Sequence, residues 1–169
     1  MTGHMPRIPR EKWLLLSGLE LNAYKALQSR HQLPFVLGPA AHDAYDPLGV
    51  LMMVLANEFA DQGFNRTRAG TLGAHGYAVG EHWADVARTS EAMHRGRKAP
   101  EELFLAIFES TGPQRGEAFC GTLTEIAKKF PNPARIALVN VTRAAVKIRE
   151  QAAKHKIDLD AYDFWTGPV

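Results

Sequence analysis

Residues 13–35 read WLLLSGLELNAYKALQSRHQLPF, and their order of apolar, small and helix-breaking residues predicts two helices joined by a tight turn. Gly18 marks the turn, because glycine accepts a positive φ without steric cost. Leu21, Tyr24 and Leu27 recur at helical spacing, so we expect a second helix over residues 21–30 with these side chains facing inward. Helix, turn and helix in this order form a helix-turn-helix, whose second helix can enter the major groove of DNA.

The rest of the chain predicts further helices and a small sheet. Caps and apolar spacing indicate helices over residues 46–61, 66–74, 80–94, 124–130 and 142–156, with Asp46, Asn65 and Thr142 as caps. Runs with the apolar content of strands lie at residues 103–108, 117–121 and 136–141. We therefore predict a mainly helical α+β fold. Its parts are an N-terminal helix-turn-helix, a helical middle and a small C-terminal ββαβα-like part, with Phe164 and Trp165 docking the end of the chain.

Three segments follow from this pattern. Residues 5–40 form the helix-turn-helix with a possible short wing, and residues 41–98 form a helical region with a possible second helix-turn-helix that turns at residues 63–64. Residues 99–169 form a small α/β domain for dimerisation or sensing. Polar residues 95–100, which include glycine and proline, are the best candidate for a linker.

Composition excludes several classes of protein. The chain has 169 residues, 46% apolar and 22% charged, which is enough for a folded core and argues against wholesale disorder. The longest run without a polar side chain is residues 48–56, far shorter than the ~20 residues of a membrane-spanning helix, so we expect a soluble protein without membrane contact. Residues 1–5 resemble a cloning remnant, and we expect no signal segment. Cys120 is the single cysteine, so we expect a reducing cytoplasm.

The net charge of +2 conceals an uneven distribution. Residues 5–40 contain five basic and two acidic side chains, and in residues 41–62 every charged side chain is acidic. Residues 120–156 contain eight basic and two acidic side chains. Such asymmetry is typical of polyanion-binding faces and also of solvated helix surfaces. Both interpretations stay open for residues 5–40 and for the basic helix of residues 142–156.

The helix-turn-helix segment resembles the winged helix-turn-helix of MerR-like and phage-excisionase-like DNA-binding proteins. Tyr24 matches the aromatic residue of their recognition helix. Arg30, Leu33 and Pro34 match the ending that leads into their β wing. His31 stands where glycine is common in these families.

The resemblance continues past the second helix. Residues 45–73 are similar to the helices that follow the wing in MerR-like proteins, and the usual basic residues of the wing are missing from residues 35–41. The resemblance therefore spans about residues 7–75. Beyond Pro100 we recognise no family.

The resemblance implies roles for individual polar side chains. Asn22, Lys25 and Gln28 lie near i, i+3 and i+6 on one face of the second helix, where Asn or Gln can pair with adenine and Lys with guanine, so they are the candidates for base readout. The remaining candidates are expected to contact DNA phosphates and to fix register without reading sequence, except that Arg66 and Arg68 form either a second phosphate clamp or part of a second readout helix. They are Arg10, Lys12, Ser29, Arg30, His31, Arg66, Thr67 and Arg68.

One helix-turn-helix offers few contacts, so regulators of this type commonly place two modules on a two-fold symmetric site. We therefore expect a homodimer that binds double-stranded DNA and regulates transcription in bacteria or their phages. The dimer contact, or a sensory pocket for a small-molecule effector, is expected in the C-terminal part. We predict no catalytic residue, no metal and no cofactor.

Two other functions are kept as alternatives. The helix-turn-helix shape can bind another protein, with the apolar helix of residues 46–61 or the C-terminal sheet as the contact. A small hydrolase would draw on a cluster of histidines and acids, which are His75, Glu81, His82, Asp85 and His94. None of the tetrahedral zinc spacings is present in that cluster. Cys120 is a weaker candidate for a nucleophile paired with a distant histidine.

Overall fold

The computed structural model of the chain describes residues 7–35, 46–98, 100–108, 117–133 and 135–166. Its α-helices are α1 (Arg10–Ser17), α2 (Leu21–Ser29), α3 (Pro47–Asp61), α4 (Arg66–Gly73), α5 (Trp83–His94), α6 (Leu123–Lys129) and α7 (Val141–Lys154). Short 3₁₀ helices cover Ala74–His82 and Asp160–Tyr162. The strands are β1 (Phe104–Phe108), β2 (Glu117–Gly121) and β3 (Ile136–Asn140). The prediction of a mainly helical α+β fold ending in a ββαβα order is confirmed.

The strands form a three-stranded antiparallel sheet in the order β2-β1-β3. Leu105 pairs with Cys120 on one side and Val139 on the other, and all three side chains are buried. Because side chains alternate along a strand, the neighbouring positions lie on the opposite face of the sheet. We name this opposite side the outer face of the sheet. Its half-buried apolar side chains are Phe104, Phe108, Phe119, Ile136 and Leu138.

One hydrophobic core includes side chains from all three segments distinguished in the sequence. Trp13 of α1, Phe59 of α3, Ile107 of β1 and Ile148 of α7 are among its fully buried members. α7 packs against α1, α3 and α5, which joins the helix-turn-helix to the C-terminal part. The predicted wing falls largely on residues outside the described ranges.

Capping residues explain where several helices begin. Asp46 accepts a hydrogen bond from the Gly49 N–H at 2.6 Å, and Asn65 accepts one from the Arg68 N–H at 2.8 Å, so both predicted caps are confirmed. The prediction that Thr142 caps α7 is wrong. Asn140 caps α7 instead, because the buried hydroxyl of Thr142 accepts a hydrogen bond from the Leu103 N–H at 2.9 Å.

The segment before α5 also differs from its prediction. The helix expected from residue 80 begins at Trp83, and the nine residues before it form a 3₁₀ helix. Glycine lowers helix propensity, and this stretch packs closely on α3. A Cβ atom on Gly76 would lie 2.9 Å from Met52 Cγ, and one on Gly73 would lie 2.8 Å from Ala56 Cβ.

The end of the described chain docks on the core, as predicted. Phe164 is fully buried, and its carbonyl oxygen accepts a hydrogen bond from Trp83 Nε1 at 2.9 Å. The ring centres of Trp165 and Trp83 are 5.7 Å apart. Within the described ranges, none of the helices has the length and apolar content needed to cross a bilayer.

Candidate nucleic-acid interface

α2 is anchored on one side only. Its buried residues are Tyr24 and Leu27, 2% and 8% exposed, and the Tyr24 ring packs edge-on against Trp13 of α1 at 5.8 Å between ring centres. Asn22 and Lys25 are exposed, as is Gln28. α2 therefore packs on the core with one face and presents the opposite face to solvent.

Helical geometry divides the exposed residues of α2 into a central stripe and a flank. Each residue advances about 100° around an α-helix, so Asn22, Lys25 and Ser29 lie within about 60° of one another, opposite the buried face. Gln28 lies about 120° from Asn22, beside Leu21. The prediction that Leu21 faces inward is wrong, since it is 39% exposed. Its position is about 90° from the centre of the buried face.

The C-terminal end of α2 forms a Schellman motif. The N–H of Gln32 donates to the carbonyl of Leu27 at 2.9 Å. This motif holds His31 at a φ of 53°, the left-handed conformation that glycine adopts most easily. Gly18 occupies the same position after α1, with a φ of 68°. The motif turns the chain and leaves Arg30 and His31 exposed at the end of α2.

The beginning of α4 lies beside this end of α2. Gln32 Nε2 donates a hydrogen bond to Thr67 Oγ1 at 3.1 Å. A Cβ atom on Gly70 would lie 2.4 Å from the backbone oxygen of Gln32, so the two segments meet through their backbones and only glycine permits the approach. The basic beginning of α4 is therefore next to Arg30 and His31.

A hydrogen-bonded bridge holds the side chain of Arg66, the first residue of α4. Arg66 Nη1 donates to Asn57 Oδ1 at 3.0 Å, and Asn57 Nδ2 donates to the carbonyl of Ser17 at 3.2 Å. Asn57 thereby connects α4, α3 and the end of α1. Sequence reasoning missed Asn57, because its partners lie 9 and 40 positions away and no local pattern signals them.

The other candidates for phosphate contacts have different surroundings. Arg10 is exposed at the first residue of α1, whereas Lys12 Nζ donates to the phenol oxygen of Tyr162 at 2.7 Å. The hydroxyl of Ser29 donates to a carbonyl of α2 itself at 3.0 Å. Arg68, expected to be exposed, is half-buried. The exposed candidates therefore gather at α2 and the beginning of α4, with Arg10 and Lys12 on α1.

We name the surface formed by α2 and the beginning of α4 the α2–α4 face. Its exposed polar residues are Asn22, Lys25, Gln28, Ser29, Arg30, His31, Arg66 and Thr67. Neither helix contains an acidic residue, and Glu20 is exposed beside the N-terminal end of α2. Guanidinium, ammonium, amide and hydroxyl groups can donate hydrogen bonds to phosphates, and the amide and ammonium groups also to base edges. A scan against protein-family models, a search of curated proteins and a search of solved structures each found no match.

The histidines and acids of the alternative hydrolase site do not converge. Among the residues that the structure describes, no group of three or more His, Cys, Asp or Glu side chains is placed to hold a metal ion. Asp85 pairs with Arg88 at 2.7 Å on the exposed side of α5. Burial, and then the charge of Arg68, lower the pKa of His75, whose Nδ1 has no hydrogen-bond partner in the described chain.

Cys120 lacks the surroundings of a nucleophile. It is buried in β2, and burial raises the pKa of its thiol to about 12, with smaller contributions from the charges of Glu125 and Asp85. A reactive cysteine needs a lowered pKa, because the thiolate is the attacking species. Cys120 therefore fills space in the core as a neutral thiol.

Proposed function

We propose that the protein binds double-stranded DNA through α2 and regulates transcription, as its resemblance to MerR-like proteins implies. The observation that carries this proposal is the one-sided anchoring of α2. Tyr24 and Leu27 hold it, while Asn22, Lys25 and Ser29 project from the opposite side. The major groove of DNA, roughly 12 Å wide, admits an α-helix presented in this way.

The α2–α4 face supports a division of labour. Asn22 and Lys25 lie on the central stripe and are proposed to read bases, with Gln28 reading from the flank. Arg30 and His31, at the C-terminal end of α2, and Arg66 and Thr67, at the beginning of α4, are proposed to contact phosphates. Because Asn57 holds Arg66, part of the side-chain entropy of a phosphate contact is already lost before binding.

The second part of the proposal is a homodimer formed through the outer face of the sheet. Phe130, at the end of α6, stacks on Phe108 at 5.6 Å between ring centres and meets Phe119 edge-on at 6.4 Å. The remaining apolar side chains of this face stay half-buried in the described chain. Glu117, the first residue of β2, lies on this face and pairs with Lys129 at 3.2 Å, while the apolar side chains of the face are complementary to those of a second copy, as a two-fold interface requires. We place this regulator in the cytoplasm, in keeping with its free cysteine.

Selection from a pool of randomised DNA duplexes tests the proposal, followed by fluorescence anisotropy with the enriched duplex and a scrambled one. Lys25→Ala is expected to reduce the preference for the enriched duplex by roughly tenfold to a hundredfold, since a good base contact discriminates by about 1–3 kcal/mol. Lys128→Ala, on α6, is the matched control and leaves the preference intact. If no sequence is enriched, or if Lys25→Ala keeps full preference, the assignment of α2 is refuted.

Leu21 supports a second candidate, a protein-binding module. Its 39% exposure places an apolar side chain next to Gln28 on the flank of α2, where a protein partner would bury it. Salt separates the two functions, because log affinity for DNA falls by about 0.9 for each neutralised phosphate per unit of log salt, whereas an apolar protein contact barely responds. Leu21→Ser would abolish a protein contact and leave the salt dependence of DNA binding unchanged.

A further inference from the structure

A cavity of about 230 Å³ lies between the C-terminal ends of α5 and α7 and the last described residues of the chain. Its lining residues lie far along the chain from α2 and α4, and they include a separate set of charged side chains. The lining includes Arg149, His94, Asp158, Asp160 and Trp165. Apolar residues of α7 and the following turn fill the space between them.

Arg149 is held rigidly at this cavity. Its Nε donates to Ser90 Oγ at 2.9 Å, its Nη2 donates to the carbonyl of Ala87 at 2.8 Å, and its guanidinium lies 4.2 Å from the ring centre of Trp165. Among the described residues, no hydrogen-bond acceptor is bonded to its remaining terminal nitrogen, Nη1. Arg149 therefore offers a fixed positive charge with an unused donor.

The acidic residues come from the turn after α7. Asp158 Oδ1 accepts a hydrogen bond from the backbone N–H of Asp160 at 3.0 Å, which orders this turn. The carboxylate of Asp160 is exposed, and its charge acts on Arg149. The cavity thus carries a cationic group and carboxylates on one small surface, with apolar side chains such as Leu159 between them.

We propose that this cavity binds a small zwitterion of the amino-acid class. The ligand carboxylate would accept from Arg149, and its ammonium would donate to Asp160 and Asp158, so both charges are paired with their opposites. The volume of about 230 Å³, below the roughly 300–1,000 Å³ of drug-sized sites, is suited to a single small amino acid.

The indole of Trp165, which lines the cavity, has a polar atom that is unpaired among the described residues. Its Nε1 is buried and has no hydrogen-bond partner in the described part of the chain. An unpaired buried donor costs free energy, so a small movement of this wall that brings Nε1 to a ligand oxygen would be favourable. Trp83, by contrast, has its Nε1 paired with the carbonyl of Phe164.

Indole N–H signals in ¹H–¹⁵N spectra provide the test. The chain has three tryptophans, and Trp165→Phe identifies the signal of Trp165. L-alanine is expected to shift that signal in a saturable manner and to leave the signal of Trp13 unchanged. Acetate and methylammonium, which each carry one of the two charges, are expected to bind at least about tenfold more weakly.

A matched pair of variants locates the binding site. Asp160→Asn is expected to weaken L-alanine binding about tenfold, because it removes the charge that faces the ammonium. Asp163→Asn, on the same turn but outside the cavity, keeps full affinity. Absence of a saturable shift, equal binding of acetate, or an unchanged affinity of Asp160→Asn overturns the proposal. Since DNA is absent from these measurements, the result is independent of the function proposed for α2.

Discussion

Lys12 Nζ donates a hydrogen bond to the phenol oxygen of Tyr162 at 2.7 Å and lies 5.2 Å from the centre of the same ring. The two residues are 150 positions apart in the chain. Their contact joins α1, the first helix of the helix-turn-helix, to the 3₁₀ turn that follows α7. The end of the chain therefore takes part in holding the helix-turn-helix in place.

A double-mutant cycle measures this contact. Lys12→Ala and Tyr162→Ala are each expected to lower the free energy of unfolding, and the double variant is expected to lose less than their sum. The coupling should be about 0.5–1 kcal/mol, the range of a surface hydrogen bond or an exposed cation–π pair. Urea unfolding provides the four values. Strict additivity would show that the two side chains do not interact in solution.

His31→Gly is expected to stabilise the protein by about 0.5–1 kcal/mol. The left-handed conformation costs a non-glycine residue about 1–2 kcal/mol, and the greater freedom of glycine in the unfolded chain offsets part of the gain. The measurement is the urea midpoint at unchanged slope. Lys156, with a φ of 53°, provides a parallel case in Lys156→Gly, whereas Arg30→Gly at a φ of −94° should destabilise. Destabilisation by His31→Gly would contradict the observed conformation.

Gly70→Ala is expected to destabilise the protein by about 1–3 kcal/mol, the typical cost of overpacking. The added Cβ would lie 2.4 Å from the backbone oxygen of Gln32, which cannot move aside as a flexible side chain can. Gly80→Ala is the matched control, because nothing lies within 4 Å of its added Cβ. Equal stability of the two variants, measured by thermal or urea unfolding, would show that α4 does not approach the end of α2 so closely.

Cys120 makes stability depend on pH at the alkaline end. Burial raises the pKa of its thiol from 9.0 to about 12, so between these values the unfolded chain has lost the proton and the folded chain keeps it. Stability therefore falls as pH rises from about 9 towards 12, because the unfolded state binds fewer protons there. Urea unfolding at several pH values should give a steeper decline for the wild-type chain than for Cys120→Ala. Identical slopes would contradict this account.

Leu138→Asp is expected to convert the proposed homodimer into a monomer, because it places a charge at the centre of β3 on the outer face of the sheet. Leu123→Asp is the control, since Leu123 is 49% exposed on α6 and lies outside that face. Sedimentation velocity measures the mass of each variant. A monomeric wild-type chain, or a Leu138→Asp variant that stays dimeric, would remove the sheet face from the proposal.

Local signals in the sequence predict much of this fold. Asp46 and Asn65 lie three residues before the N–H groups that they cap, so the caps follow from the sequence itself. Gly18 ends α1 because the left-handed conformation favours glycine. Such interactions depend on neighbours along the chain, and the boundaries of α1 to α4 follow from them.

Interactions between distant residues account for the errors. Thr142 has the side chain of a cap, but Leu103, 39 positions earlier, uses its hydroxyl. Leu21 fits the helical spacing of the buried residues, yet the core that α2 contacts determines which face is covered. Asn57 gave no signal at all, since a helix-interior asparagine looks the same whether or not Arg66 reaches it.

The backbone contact between Gly70 and Gln32 also constrains what the α2–α4 face can bind. Its two groups of donors, on α2 and at the beginning of α4, stand on backbones that this packing holds at a fixed distance, so only the side-chain rotamers can adjust their spacing. A polyanion bound as proposed must therefore bring its negative charges at a matching interval. A fixed spacing of donors favours a stiff polyanion, whose charges are evenly spaced, over a flexible one of equal charge.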